Sequence, residues 1–279
     1  MSRSFRFRLQ LGMLLLGSVL AGAGHAQVVE TPRLHYVLGA QISSQPEYAG
    51  APNNKSHLSP LWALQYGRWR ISSSGAGQVM GFGEEVQGPG ASTDLVKSDA
   101  LRLGLALRVD SGRSSKDSVR LQGLPDVPRT LRARLFGSYA LAPEWLASAA
   151  WSQDLLGREG GGILNLDIGY RLRQTRHTEW TAGAGITAGT ARNHQSYFGI
   201  TPAGSVASGL PVFSPGAGLR DVHAGVGFTH ALSSRWILFG SAGVSRLLSD
   251  AALSPLVHQR QGSSVGLGLA YRCCRWGQD

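Results

Sequence analysis

His57 and Ser59 stand two residues apart in "HLS", a spacing that on a strand puts an imidazole and a hydroxyl on one face. That is the pairing of a general base with a serine nucleophile, and the base then needs a third group to orient it. No acid can be assigned to that role from the chain, and a polar strand end accounts for the two residues equally well. His223 and His230 are seven apart and fall on opposite faces of a strand, so they do not share a metal. Cys273 and Cys274 are neighbours. Their Cα atoms lie about 3.8 Å apart, below the usual disulfide window of about 4.4–6.8 Å, so a ring between them is strained and the expectation is free or incidental thiols. The glycine-rich stretches "GAGITAG" and "GVGFTHA" lie inside strand patterns and lack the strand–turn–helix context in which glycines cradle phosphate. The expectation is therefore a non-enzyme without a catalytic, cofactor or metal site. The remaining chemistry is charge. Arg102, Arg108, Arg132, Arg134, Arg171 and Arg173 are spread singly along strands, with Asp110, Asp167 and Asp221 as possible partners.

The elements that must position these charges alternate with a period of two. In "ALRLGLALRVD" the residues Leu101, Leu103, Leu105, Leu107 and Val109 share one face, opposite Arg102, Gly104, Ala106, Arg108 and Asp110. The pattern recurs in "TLRARLFGSYAL", "GILNLDIGYRLRQ", "RDVHAGVGFTHAL" and "SSVGLGLAYR". Segments of about ten residues alternating in this way are the signature of a transmembrane barrel. A soluble sheet would carry Lys, Glu, Thr and Ser on its wet face, whereas this one carries Gly, Ala, Ser, Arg and some Asp, which suits a narrow lumen. Trp62, Trp145, Trp151, Trp180, Trp236 and Tyr271 sit near strand ends, as the girdles at the two edges of a lipid-facing band require.

The amino terminus reads as a secretory leader. Arg3, Arg6 and Arg8 precede an apolar run from Leu11 to Gly22, and Gly24 and Ala26 stand at −3 and −1 of a cut between Ala26 and Gln27. The expected organisation is residues 1–26 as signal peptide and 27–279 as one barrel. Losing the leader lowers the formal charge from +10 to +7. Basic tracts of the kind that bind nucleic acid are absent from the sequence. Strands are expected near 33–44, 57–67, 69–74, 77–83, 99–110, 130–142, 144–155, 162–174, 178–190, 219–231, 235–247 and 262–273. These make an all-β, antiparallel transmembrane barrel of about 12 strands, with 10 as the alternative, because 69–83 splits into two short strands and the link at 84–98 is long for a periplasmic turn. Short links at 67–69, 142–144, 175–177 and 232–234 then face the periplasm, and long ones at 111–129, 191–218 and 248–261 face outward.

The segment 191–222 is too long for a turn, and its residues carry a resemblance. "SYFGIT", Ala203, and "SGLP" followed by "PGAGLRDV" are similar to the MipA/OmpV family of outer-membrane proteins. So are "PEYAGA", "LQGLPDVP" at 121–128 and "SRLLSDAALSPLVHQRQ" before the last strand. The resemblance implies an outer-membrane barrel in the lipid of that membrane. It also implies a non-catalytic scaffold of peptidoglycan synthesis and remodelling, whose partners are a lytic transglycosylase and a penicillin-binding protein. Other members of the family resemble adhesins or pore-like antigens, so a small cationic pore or an adhesin is the alternative. The family's last strand commonly ends Tyr-Arg-Phe, and here Cys273 takes the aromatic place in "YRCCRWGQD". In either role Arg102, Arg108, Arg132, Arg134, Asp167, Arg171 and Arg173 are expected to line the lumen. The Pro- and Gly-rich segment after strand nine is expected to turn inward as a plug on Tyr197, Phe198 and Phe213.

Overall fold

Alternation of large aliphatic with small or charged residues closes into a cylinder when every strand finds a partner on both edges. A computed structural model describes residues 34–73 and 89–273, and the expected leader and cut at Ala26 and Gln27 lie outside these residues. Among the described residues the strands are β1 (Leu34–Pro46), β2 (Asn54–Tyr66), β3 (Trp69–Ser72), β4 (Gly90–Lys97), β5 (Leu101–Asp110) and β6 (Thr130–Ala140). They continue as β7 (Trp145–Asp154), β8 (Gly162–Arg173), β9 (Thr178–Gly189), β10 (Gly218–Ala231), β11 (Trp236–Leu247) and β12 (Gln261–Arg272). Each pairs antiparallel with its neighbours in sequence, and β1 pairs with β12 from Val37↔Arg272 to Ser44↔Val265, which closes the barrel.

The strand count is twelve, but one strand is not where the pattern put it. Residues 77–83, expected as the fourth strand, lie outside the described residues, and the segment expected as a long link contains β4. Its register shifts between Asp94 and Val96, so Leu95 and Val96 are both exposed and the period of two is broken. That bulge hides the strand from a search for alternation. The link to β5 shrinks to residues 98–100, short enough for a turn.

Faces follow the alternation elsewhere. Leu103, Leu105 and Leu107 look outward into the lipid, while Ala106 and Arg108 are buried inside. One end of the barrel carries short turns and the other carries loops with α1 (Ala191–Phe198), α2 (Pro202–Ser208) and the five-residue α3 (Ser249–Leu253). The aromatic girdles are uneven. At the turn end Trp145 packs on Tyr170, Trp180 on Phe228 and Trp236 on Tyr271, with ring centroids 5.0, 5.4 and 5.4 Å apart, and Tyr66, Trp69 and Tyr139 extend the belt. At the loop end of the described strands only Trp151 faces outward, so the expected second girdle is missing there.

Inside the wall at the turn end, Val37, Leu61, Ala63, Ile237, Phe239 and Ala270 form an apolar cluster across β1, β2, β11 and β12. Cys273, just beyond, is disulfide-bonded rather than free, and its Sγ accepts from the Tyr36 amide at 3.2 Å. The partner sulfur lies outside the described residues.

Candidate functional site: the lumen and its capped mouth

Buried charge needs a partner, and the lumen supplies one at each level. On the wall made by β3–β6, Asp94 receives Arg70 at 2.5 and 2.9 Å and Arg102 at 2.8 Å. The Arg102 guanidinium also lies 5.5 Å from the centre of the Phe136 ring. Further toward the loops, Arg134 donates to Ser152 Oγ at 3.4 Å, and Arg108 is buried beside it on the same face. Arg132 ends the row: its Nε donates to Asp110 at 2.6 Å, and its terminal nitrogens donate to the carbonyls of Gly160 and Gly161 at 2.7 and 2.9 Å. Arg171 and Arg173 face the same interior but stand at the turn-end rim, about half and three-quarters exposed, reaching Glu179 at 3.3 and 3.7 Å.

The opposite wall carries a histidine that the sequence reading left out of the lumen. His223 bridges Asp167 at 2.8 Å and Asp221 at 3.1 Å, and Arg220 completes Asp221 at 2.7 Å. Asp167 thus lies in the lumen but is held by a histidine rather than an arginine. The bridge passes over Gly185 on β9, where a Cβ would stand 2.1 Å from Asp167 Oδ1 and 2.7 Å from His223 Nε2. Only a glycine leaves that crossing open. His230 points the other way and meets Thr178 Oγ1 at 2.8 Å. His57 and Ser59 do share a face of β2, yet neither side chain makes a hydrogen bond among the described residues.

The loop end is capped. Thr190 caps α1, accepting from the Asn193 amide, and the helix lies across the mouth with Asn193, His194 and Phe198 buried. Asn193 donates to the same Gly160 carbonyl that receives Arg132, at 2.8 Å, so wall and helix share one acceptor. Gly161 makes this approach with φ of 59°, and a Cβ there would fall 2.5 Å from the Asn193 nitrogen. The Tyr197 hydroxyl donates to Asp110 at 3.2 Å, and burial together with that carboxylate pushes its pKa up to about 12. His194 Nδ1 donates to the Gly216 carbonyl at 2.7 Å, and burial lowers its pKa, with the Arg220 charge adding to the effect. Arg113 donates to the Tyr197 carbonyl at 3.0 Å from the β5–β6 loop. Ser254 donates to the Phe198 carbonyl at 2.6 Å from the β11–β12 loop.

Two small apolar cores lie beneath these bonds. Tyr48, Ala51, Leu121, Leu124, Ile200 and Leu256 form one, with Phe213 packed against it through its bridge to Ile200. Phe198, Leu247 and Ala251 form the other, with Tyr197 alongside. The stretches "PEYAGA", "LQGLPDVP", "SYFGIT" and "SRLLSDAALSPLVHQRQ" are far apart in the chain, yet all four meet in these cores. Arg70, Asp94, Arg113 and Asn193 carry no signal of this kind in the sequence, and His223 stands out there only as a histidine unable to share a metal with His230. The phase of His223 on β10 was the one available signal.

The family model described as "MltA-interacting protein MipA" matches residues 38–273. The chain belongs to the MipA family. No curated protein matches it. Among solved structures this MipA-family barrel is similar to the anion-selective porin from Comamonas acidovorans, with 9% identity over 86% of this chain and 99% of that one and a TM-score of 0.41. It is also similar to the KdgM porin, with 10% identity over 84% and 98% and a TM-score of 0.40. OmpT of Vibrio cholerae gives 7%, 86%, 97% and 0.39. The MipA-family barrel is an outer-membrane protein: its apolar strand faces look outward and its sheet has no open edge.

Proposed function

We propose that this barrel is a non-catalytic scaffold of the outer membrane that holds cell-wall machinery at its periplasmic end. The observation that carries the reading is the family match over most of the chain, in a family described by its interaction with MltA. The partner in this reading is a lytic transglycosylase, with a penicillin-binding protein as the second. The capped loop end supports it, because a mouth crossed by α1 and tied to the wall at Asp110 and Gly160 suits an anchor better than a wide channel. In bacterial barrels short turns face the periplasm. Here those turns carry exposed Arg68, Lys97, Arg176 and Arg235, with Arg173 beside them, against Asp99 and Glu144. Such a rim suits an acidic patch on a partner. A photo-crosslinking residue placed at Arg176 or Arg235 should capture a lytic transglycosylase in intact envelopes, and one at the loop residue Val206 should not. Capture from the loop position alone refutes the scaffold.

A small pore is the second reading, favoured by the arginine row facing a wall of Gly225, Gly243, Gly266, Ser241 and Ser264. In that case the Tyr197, Phe198 and Phe213 segment serves as a plug. Deleting Ser196 to Pro215 should then raise single-channel conductance in planar bilayers. Unchanged conductance removes the pore.

A further inference from the structure

Beside the loop end, on the outside of the wall, lies a groove of about 440 Å³ lined by Val222, Leu248, Ala252, Leu253, Arg246 and Arg260. Its position is unusual for two cations. Arg246 occupies an outward phase of β11, directly opposite Val222 on β10 and Gln261 on β12, and Val244, two residues below it, is among the most exposed apolar side chains of the wall. Arg260 is brought alongside by its carbonyl, which accepts from the Leu247 amide at 2.8 Å. Leu253 overhangs from α3 and is 62% exposed. Neither guanidinium has a hydrogen bond or ion pair among the described residues. The nearby acids are engaged elsewhere: Asp250 accepts from the Gly216 amide at 2.8 Å, and Asp221 holds Arg220 and His223.

We infer that Arg246 and Arg260 clamp the phosphate of an outer-leaflet glycolipid, whose acyl chains lie down the apolar strip formed by Val222, Val226 and Val244. An outward arginine at the edge of a hydrocarbon band is costly unless it meets an anion at the interface. Two arginines offer the forked donors that fit a phosphate monoester. Apolar groove below and paired cations above together select an anion that carries hydrocarbon, not a free ion. Among the described residues Trp151 is the one outward ring at the loop end, and this fits the same picture, since a bound head group fixes the height of that edge. The inference rests on the loop end facing the outer leaflet. Labelling a Leu253→Cys variant on whole cells with a membrane-impermeant thiol reagent tests that orientation by itself.

The binding test uses the purified full-length barrel in zwitterionic detergent, mixed with diphosphoryl lipid A, with bound lipid counted by native mass spectrometry. One retained lipid per barrel is expected. The Arg246→Gln/Arg260→Gln double variant should hold it at least tenfold more weakly, and the corresponding double lysine variant should keep most of it. Dephosphorylated lipid A should be retained poorly, and millimolar inorganic phosphate should not displace the bound lipid. Arg158→Gln, an exposed arginine on the β7–β8 loop, should bind as the parent does. Equal retention by the double glutamine variant overturns the inference, as does equal retention of the dephosphorylated lipid. Easy displacement by phosphate reduces the site to a plain anion site, and an equal loss in Arg158→Gln reduces it to net charge; either result also overturns it. Both arginines are exposed and unpaired, so the variants should fold, which a shift of gel mobility on boiling checks directly.

Discussion

Replacing Arg132 with methionine keeps a flexible, unbranched stem, though a shorter one, and removes the guanidinium and its charge. The Arg132 side chain is 6% exposed and that of its partner Asp110 22% exposed, so the pair is shielded from water. Removing one member of a buried pair leaves the other desolvated and typically costs about 3–5 kcal/mol. Two more bonds go at the same time, those to the Gly160 and Gly161 carbonyls, and the first of these carbonyls also holds Asn193 of α1. Arg171→Met is the internal comparison. Its bond to Glu179 is 3.3 Å long between side chains 49% and 31% exposed, and pairs of that kind contribute about 0–1 kcal/mol. The two variants remove the same chemistry from the same barrel and should differ by about 2–5 kcal/mol. Reversible unfolding in guanidinium, with the barrel reconstituted in lipid bilayers, reads the difference. A double-mutant cycle with Asp110→Asn isolates the pair from the carbonyl bonds. If Arg132→Met loses less than about 1 kcal/mol, the lumen is wet at this level and the argument from burial is wrong.

Three further outcomes are expected. Leu105 faces lipid near mid-span, so Leu105→Arg should lose about 2–4 kcal/mol of bilayer stability; an unchanged stability means that this face does not meet hydrocarbon. His194 has its pKa lowered by burial, so the neutral ring is the folded form; the contribution is complete above the ordinary value of 6.5 and is lost as pH falls below it. Protease cutting within α1 should therefore rise on acidification, and His194→Gln should flatten that profile. Gly185→Ala should push His223 from Asp167 and destabilise the barrel by about 1–3 kcal/mol, measured in the same unfolding assay, with the β9–β10 register intact by amide exchange.

Most of the wall was legible because a period of two, repeated over ten or more residues, survives any detail of packing. Leu101 to Val109 declare a face without help from the rest of the chain. The exception, β4, fails for a local reason: the bulge after Asp94 slips the phase within eight residues. The lumen pairs were less legible. Asp110 and Arg132 could be placed inside by phase, but which acid meets which base depends on strand register, and so His223 rather than an arginine came to Asp167. Aromatics at strand ends suggest girdles without telling which ends gather on one side, and among the described residues Trp151 is the one outward ring on the loop side. The core beneath the cap was illegible, because Tyr48, Leu121, Ile200 and Leu256 have no periodicity and meet only in three dimensions.

The cap spans the seam between the first and last strands. Tyr48 donates to the Leu256 carbonyl at 3.2 Å, the Gly50 carbonyl receives the His258 and Gln259 amides at 3.0 and 3.1 Å, and Asn54 donates to the Ser263 carbonyl at 3.0 Å. These contacts join residues about two hundred positions apart, so none can form while the sheet is still open and growing hairpin by hairpin. The cap is thereby a latch that only a finished cylinder can fasten. Contacts of such long sequence separation form late, and the shielding of α1 from protease becomes a record of completed closure: a chain halted with β1 and β12 apart exposes its loops, and one that has closed its seam hides them.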